Sequence, residues 1–151
     1  MNCDAAHPTA PDAAGIARAV EAAHRRAAVA PDDVDFVVVH GSGTAQSDLA
    51  EALALAEVFT AADPGPLVTA VKAGMGHISG GAGLLSLVVA LEAIRTGTVP
   101  PIGGLTDPIE ETAGLRLVTG SPATGSYRTA QVQASGMGGI NAVAVVEGAG
   151  R

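Results

Sequence analysis

Aromatic residues are almost missing from this 151-residue chain: two Phe, one Tyr and no Trp, or 2% of the sequence. Without them there are no platforms on which nucleic-acid bases could stack, and the core must be built from Ala, Val, Leu and Ile. Basic residues are equally few. Eight Lys and Arg stand against fifteen Asp and Glu, giving a net charge of −7, and no basic patch is present to neutralise phosphates. Nucleic acid is therefore not an expected partner. A single cysteine, Cys3, excludes an internal disulfide framework and suits a reducing cytoplasm, the expected location. The N-terminus lacks a basic segment followed by an apolar run, so it does not read as a secretory signal. The longest uncharged apolar stretch, Ile78 to Leu91, carries three glycines and is shorter than the roughly 18 residues a membrane span requires, so no membrane partner is expected.

What is present is 48% apolar and patterned as one layered α/β domain over 1–151, with strand and helix signals in alternation. An amphipathic helix is predicted from Pro11 to about Arg26, with Ile16, Val20, Ala23 and Ala27 on its inner face. Its other face carries Glu21, His24, Arg25 and Arg26, so His24 is read as a surface residue. Val34 to Val39 is a β-branched run suited to a buried strand. A helix from about Asp48 to Phe59 and a strand from Leu67 to Val71 follow. From Ile78 to Thr96 the sequence is apolar on every side, which predicts a helix buried between two layers. Strands are expected at 115–118, 127–134 and 140–147, the last two joined by the glycine-rich turn Gly136-Met137-Gly138-Gly139.

Two strand ends bring polar residues to one edge of the sheet: His40-Gly41-Ser42-Gly43-Thr44 and Lys72-Ala73-Gly74-Met75-Gly76-His77. In open α/β folds, ligands gather outside the carboxyl ends of strands. His77, at the start of the apolar helix, lies where the positive end of the helix dipole disfavours an imidazolium. Glu51 is placed to meet Lys72 if the strand ends converge, and Asp48 with Glu51 also reads as a capping box. Other chemistries fit less well. Gly41-Ser42-Gly43 follows a strand but has Gln46 where a dinucleotide fingerprint needs its third glycine. His40 and His77 lack an evident third ligand for a metal site. Cys3 has neither an adjacent base nor a helix N-terminus to activate it as a nucleophile.

Taken together, these motifs resemble the C-terminal half of a β-ketoacyl-acyl carrier protein synthase of the thiolase-like superfamily. His40, Gly41, Ser42, Gly43, Thr44, Asp48 and Glu51 resemble the family's His-Gly-Thr-Gly-Thr box with its following acidic residues. Lys72, Gly76, His77, Gly80, Gly81, Ala82 and Gly83 resemble its Lys box and helix start. Gly136 to Ala142 is similar to its closing Gly-Phe-Gly-Gly-Thr-Asn-Ala turn, and Asp4 to Pro11 to an Asp-Ala-x-His-x-Thr-Ala-Pro segment.

The resemblance implies a thiolase-like half-domain: a mixed sheet with helices on its faces and a buried central helix. It implies decarboxylative Claisen condensation of a malonyl thioester on acyl carrier protein, in fatty-acid or polyketide assembly, with no cofactor beyond the carrier's phosphopantetheine. His40 and His77 would polarise the malonyl thioester, with Lys72, paired to Glu51, setting the charge around them. Ser42, Thr44, His7 and Thr9 would bind substrate, and the Met137 backbone N–H would form half of an oxyanion hole. The family's nucleophilic cysteine belongs to an N-terminal half that has no counterpart here, and Cys3 does not align with it. The aromatic positions bordering the family's acyl channel are Ser135 and Met137. The expected partner is a chain carrying the missing half and its cysteine, or a second copy of this chain, together with acyl carrier protein. The alternative is a non-catalytic subunit that shapes a partner's cavity or docks the carrier.

Overall fold

The computed structural model of the chain describes residues 1–3 and 10–149. Its elements are β1 (Asn2–Cys3), α1 (Ala13–Ala27), β2 (Phe36–Val38), α2 (Ala45–Val58), β3 (Leu67–Thr69), α3 (Lys72–Met75), α4 (Ala82–Thr96), β4 (Thr98–Val99), β5 (Arg116–Leu117), β6 (Ala123–Thr124), β7 (Thr129–Gly136) and β8 (Ile140–Glu147). Six strands form one mixed sheet in the order β1-β8-β7-β2-β3-β5. The run β7-β2-β3-β5 is parallel, and β1-β8-β7 is antiparallel. The long strands and helices follow the sequence pattern. The short antiparallel pair β4 and β6 and the edge strand β1 were not foreseen, because two residues are too few to show any periodicity.

Alternation along the parallel strands assigns each face its helices. Val37, Val39, Val68 and Ala70 pack against Leu55 and Phe59 at the end of α2. Phe36, Val38, Ala130 and Val132 pack against Ala90 and Ala93 of α4. Helices α1 and α2 meet through Ile16, Ala17, Val20, Ala50 and Ala54. The result is three layers, helix, sheet and helix, with β2 wholly buried in the middle.

Local signals set the helix ends. The Asp12 carboxylate accepts the Gly15 N–H at 2.9 Å and starts α1. Arg25 and Arg26 lie in its last turn, where cations complement the dipole. Helix α2 begins three residues before the predicted Asp48, after Thr44. Asp48 and Glu51 are thus past its first positions and do not form the expected capping box. Asp48 instead accepts the Gly43 N–H at 3.2 Å, pinning the glycine turn in front of the helix.

Helix α4 departs from its predicted burial. Its sheet-facing positions are small, Ala82, Ser86, Ala90 and Ala93, while Leu84, Val88 and Leu91 point outward with 68%, 53% and 47% of their surface exposed. Small side chains let the helix lie close to the sheet, and the large ones face a layer that these residues do not supply. With the 3₁₀ turn Ser79–Gly81 before it, the helical stretch Ser79–Thr96 is long and apolar enough to cross a membrane by length and composition alone. The helical stretch is longer than the uncharged run because it continues through Glu92 and Arg95. His24 is also misplaced by the pattern. It is 4% exposed, bonded through Nε2 to Gln131 Oε1 at 2.6 Å and edge-on to Phe59. Its neighbours Arg25 and Arg26 gave the false impression of a solvated face. Burial lowers its pKa despite that hydrogen bond.

Helix α1 ends with Ala28 in the left-handed region at φ 54°, where its N–H and that of Val29 cap the carbonyls of Arg25 and His24. An L-residue is strained there by about 1 kcal/mol relative to glycine. Ala28→Gly should raise stability by up to about 1 kcal/mol, less the extra freedom glycine has when unfolded. Urea unfolding of the two chains measures the difference.

Candidate functional site

A cleft of about 510 Å³ opens at the carboxyl ends of the parallel strands. His40 enters it from the end of β2, Thr44 from the start of α2, His77 from the loop after α3, and Ser135 and Met137 from the β7-β8 hairpin. Residues from four separated stretches therefore share one space.

The His40 and His77 rings stand 5.4 Å apart between centroids and nearly perpendicular, at 77°. Each is held from behind by a backbone N–H. His40 Nδ1 accepts from Ser135 at 3.2 Å, and His77 Nδ1 accepts from Ser79 at 3.0 Å. Ser79 adopts φ 53°, unusual for a residue other than glycine, and its N–H meets the ring. A nitrogen that accepts an N–H carries no proton, so each neutral ring has its proton on Nε2. The two rings are thereby set as hydrogen-bond donors through Nε2.

The His40 backbone is gripped from both ends. The Glu51 carboxylate accepts the N–H of His40 at 2.7 Å and that of Gly41 at 2.8 Å. The Lys72 ammonium donates to the His40 carbonyl. Lys72 and Glu51 are thus joined through the His40 peptide, and the direct pairing expected from the sequence is not formed. Gly41 is required at this turn: its φ is +46°, and a Cβ there would lie 2.9 Å from that of Ala70. Glu51, Lys72 and His40 are 5%, 9% and 7% exposed.

Burial dominates the electrostatics. It lowers the His40 pKa to about 4, with the positive charges of Lys72 and His77 acting in the same direction. Burial raises Glu51 to about 7, against the two backbone N–H donors and Lys72, which favour its anion. Lys72 is lowered by burial, with Glu51 and Asp48 pulling the other way. A cluster of these groups avoids the full cost of isolated charges because each is hydrogen-bonded or close to an opposite charge.

The remaining sequence candidates are less concentrated. Met137 lines the cleft but is 80% exposed. Ser42 contacts Thr44 hydroxyl to hydroxyl at 3.0 Å, and only Thr44 lines the cleft. His7 and Thr9 lie outside the described residues. Cys3 is exposed and lies against the hairpin, its Sγ 3.2 Å from the Gly138 carbonyl. Among the described residues no group of three metal-ligating side chains occurs.

The resemblance gives Ser135 only a place bordering the acyl channel and Asn141 only a place in the closing glycine motif, and neither implies the bonds they form. Ser135 supplies the N–H that fixes His40, while its hydroxyl reaches Asn141 Oδ1 at 3.1 Å. Asn141 Nδ2 donates to Gly139 O at 3.2 Å and Asn2 Oδ1 at 3.1 Å, and Asn2 in turn donates to Gly15 O at 2.7 Å. This chain ties the hairpin to β1 and α1.

Residues 1–106 match the β-ketoacyl synthase C-terminal domain. The chain belongs to the β-ketoacyl synthase family. It is similar to the tetracenomycin polyketide synthase ketoacyl synthase beta subunit of Streptomyces glaucescens, with 43% identity covering 87% of this chain and 32% of that protein. It is 34% identical to the 3-oxoacyl-acyl-carrier-protein synthase 2 of Mycobacterium leprae (strain TN), covering 93% of this chain and 33% of that one. Its fold superposes on the ishigamide ketosynthase/chain length factor with a TM-score of 0.93 and 34% identity, over 98% of this chain and 36% of the other. The thiolase-like α/β fold expected from the motifs is therefore present. The chain spans about a third of the length of the curated relatives it matches, corresponding to the C-terminal part of a ketosynthase.

The buried ionisable groups make the stability of this ketosynthase half depend on pH. The lowered His40 pKa means that the folded state resists a proton the unfolded chain accepts. Its contribution is complete above about pH 6.5 and is lost as pH falls toward 4. Glu51 has the opposite sign: its contribution is complete below about 4.5 and is lost as pH rises through 7. Removing the imidazole with His40→Gln should therefore leave stability falling more steeply with rising pH across 4.5–6.5 than in the parent chain. Urea midpoints measured across that range should show this change of slope, and unchanged slopes would contradict the burial of His40.

Proposed function

We propose that this chain is the His/His/Lys half of a ketosynthase that condenses malonyl and acyl thioesters once a partner contributes the nucleophilic cysteine. The observation that carries this reading is the pair of imidazoles, both with Nδ1 occupied by a backbone N–H, sharing one cleft. In the proposed step the malonyl carboxylate leaves as carbon dioxide. Its electron pair forms an enolate, and the enolate oxygen accepts hydrogen bonds from Nε2–H of His40 and His77. Donors fixed in advance at the site of developing charge lower the barrier without reorganising during the reaction.

The enolate carbon then attacks the acyl group on the partner's cysteine. The resulting oxyanion is met by the Met137 N–H, and its collapse expels the thiolate and leaves the β-ketoacyl thioester on the carrier. Lys72 and Glu51 act through the His40 peptide to hold the ring in place, while burial and the positive charge of Lys72 keep His40 neutral and able to donate. Thr44, which lines the cleft, and Ser42, in contact with its hydroxyl, are assigned to the amides of a phosphopantetheine arm, and His7 and Thr9 are assigned the same substrate-binding role. No further cofactor is proposed.

The outward face of α4 supports the need for a partner. Leu84, Val88 and Leu91 form an apolar stripe, which water contacts unfavourably and a facing helix of a second half would cover. A chain carrying the N-terminal half is the occupant proposed here, because it would supply both the layer and the sulfur. A second copy of this chain would cover the stripe without adding the nucleophile, since Cys3 has neither an adjacent base nor a helix N-terminus to activate it.

One comparison favours a second reading, in which the chain is a non-catalytic subunit that shapes a partner's cavity or docks carrier protein: the relative from Streptomyces glaucescens is named a beta subunit. The same experiment separates the two. The chain is combined with a cysteine-bearing N-terminal half, and condensation of malonyl and acyl carrier protein thioesters is followed for the parent, His40→Ala and His77→Ala. Each substitution should reduce turnover by at least about 100-fold, the usual worth of a positioned hydrogen-bond donor in the transition state. Full activity in both variants would instead assign the scaffold role.

A further inference from the structure

Strand β7 carries an alternation that ordinarily marks a solvent-facing edge: Gln131, Val132, Gln133, Ala134, Ser135. Here the polar positions face inward. Gln131 and Gln133 are 0% and 2% exposed, on the face turned to α1, as the Gln131 contact with His24 shows. Gln131 Oε1 is occupied by that histidine, but among the described residues Gln131 Nε2 and both polar atoms of Gln133 have no protein partner. Buried amides are otherwise almost always satisfied.

Bonding between the two side chains alone cannot satisfy these groups. Two NH₂ groups and one carbonyl oxygen are unpaired. If the side chains turned to bond each other, Gln131 Nε2 to Gln133 Oε1, the Gln133 amide nitrogen would still be a donor without an acceptor. A water molecule accepts from an NH₂ group and donates to a carbonyl, so it matches both functions at once.

We infer that Gln131 and Gln133 form an internal water-binding site between the sheet and α1, holding one or more ordered waters beneath the cleft. The site is the middle of a continuous polar file along one face of β7. At one end His24 bonds Gln131, and at the other Ser135 bonds Asn141 in the cleft wall. Internal hydration in this position keeps the β7 face polar without leaving its amides empty, and it supports the strand that delivers the Ser135 N–H to His40. This assignment stands independently of the proposed condensation.

Two measurements on the full chain, in complex with its partner where it has one, test the site. A crystal structure that shows ordered solvent should place water within hydrogen-bond reach, about 3.2 Å or less, of the Gln133 amide and Gln131 Nε2. The two amides bonded only to each other, with no water between, would overturn the inference. Gln133→Met keeps the side-chain length and removes both polar atoms, so it breaks the water network and should lower the urea midpoint. If the seam is dry, the same substitution removes two unsatisfied groups and raises the midpoint, which also overturns the inference. Should Gln133→Met fail to fold, the position of solvent in the parent crystal decides alone.

Discussion

The peptide of His40 is the point on which the site depends. Its N–H, together with that of Gly41, is taken by a buried carboxylate, and its carbonyl is taken by a buried ammonium. Glu51 comes from α2 and Lys72 from the start of α3, so the peptide joins two helical elements to the end of β2. Charge-assisted bonds of this kind are stronger than neutral ones, but losing either partner would leave the other ionised group poorly compensated in a buried place. The arrangement fixes the backbone from which the imidazole projects, and the Ser135 N–H fixes the rotation of the ring. Two constraints from different elements therefore determine which nitrogen faces the cleft.

The same economy governs the layers. Helix α4 places alanine and serine against the sheet and leucine and valine away from it. A helix built to cover an ordinary surface would show the reverse. The inward face permits close approach to β7, and the loop before α4 carries His77 to within ring contact of His40. The outward face is left uncovered by the described residues, and the chain spans about a third of the ketosynthases it resembles.

Much of the architecture was legible because it rests on local rules. Asp12 caps α1 where the pattern begins, Val34 to Val39 contains a strand buried on both sides, and the Gly136 to Gly139 turn joins two long strands as the alternation requires. The two histidines were also legible, since both follow strand-end motifs. Other features depended on tertiary contacts that no local pattern encodes. His24 was misread because its charged neighbours point elsewhere around the helix. The expected pairing of Lys72 with Glu51 had the right residues, but a peptide stands between them. The glutamines of β7 could not be assigned a face from alternation alone, because period two does not say which side is buried. Ser135 acts through its backbone, and a main-chain donor leaves no trace in residue type.

A site made of two imidazoles can donate hydrogen bonds into the cleft only if both rings hold their protons on Nε2, and this is the central physical claim. The most direct measurement is the nitrogen-15 NMR of the histidine side chains in the full chain, with both rings observed in their uncharged form. Both rings are expected to show an unprotonated Nδ1 and a protonated Nε2, as their contacts with Ser135 and Ser79 require. A protonated Nδ1 on either ring would contradict the assignment, because that ring would then present an acceptor to the cleft in place of a donor.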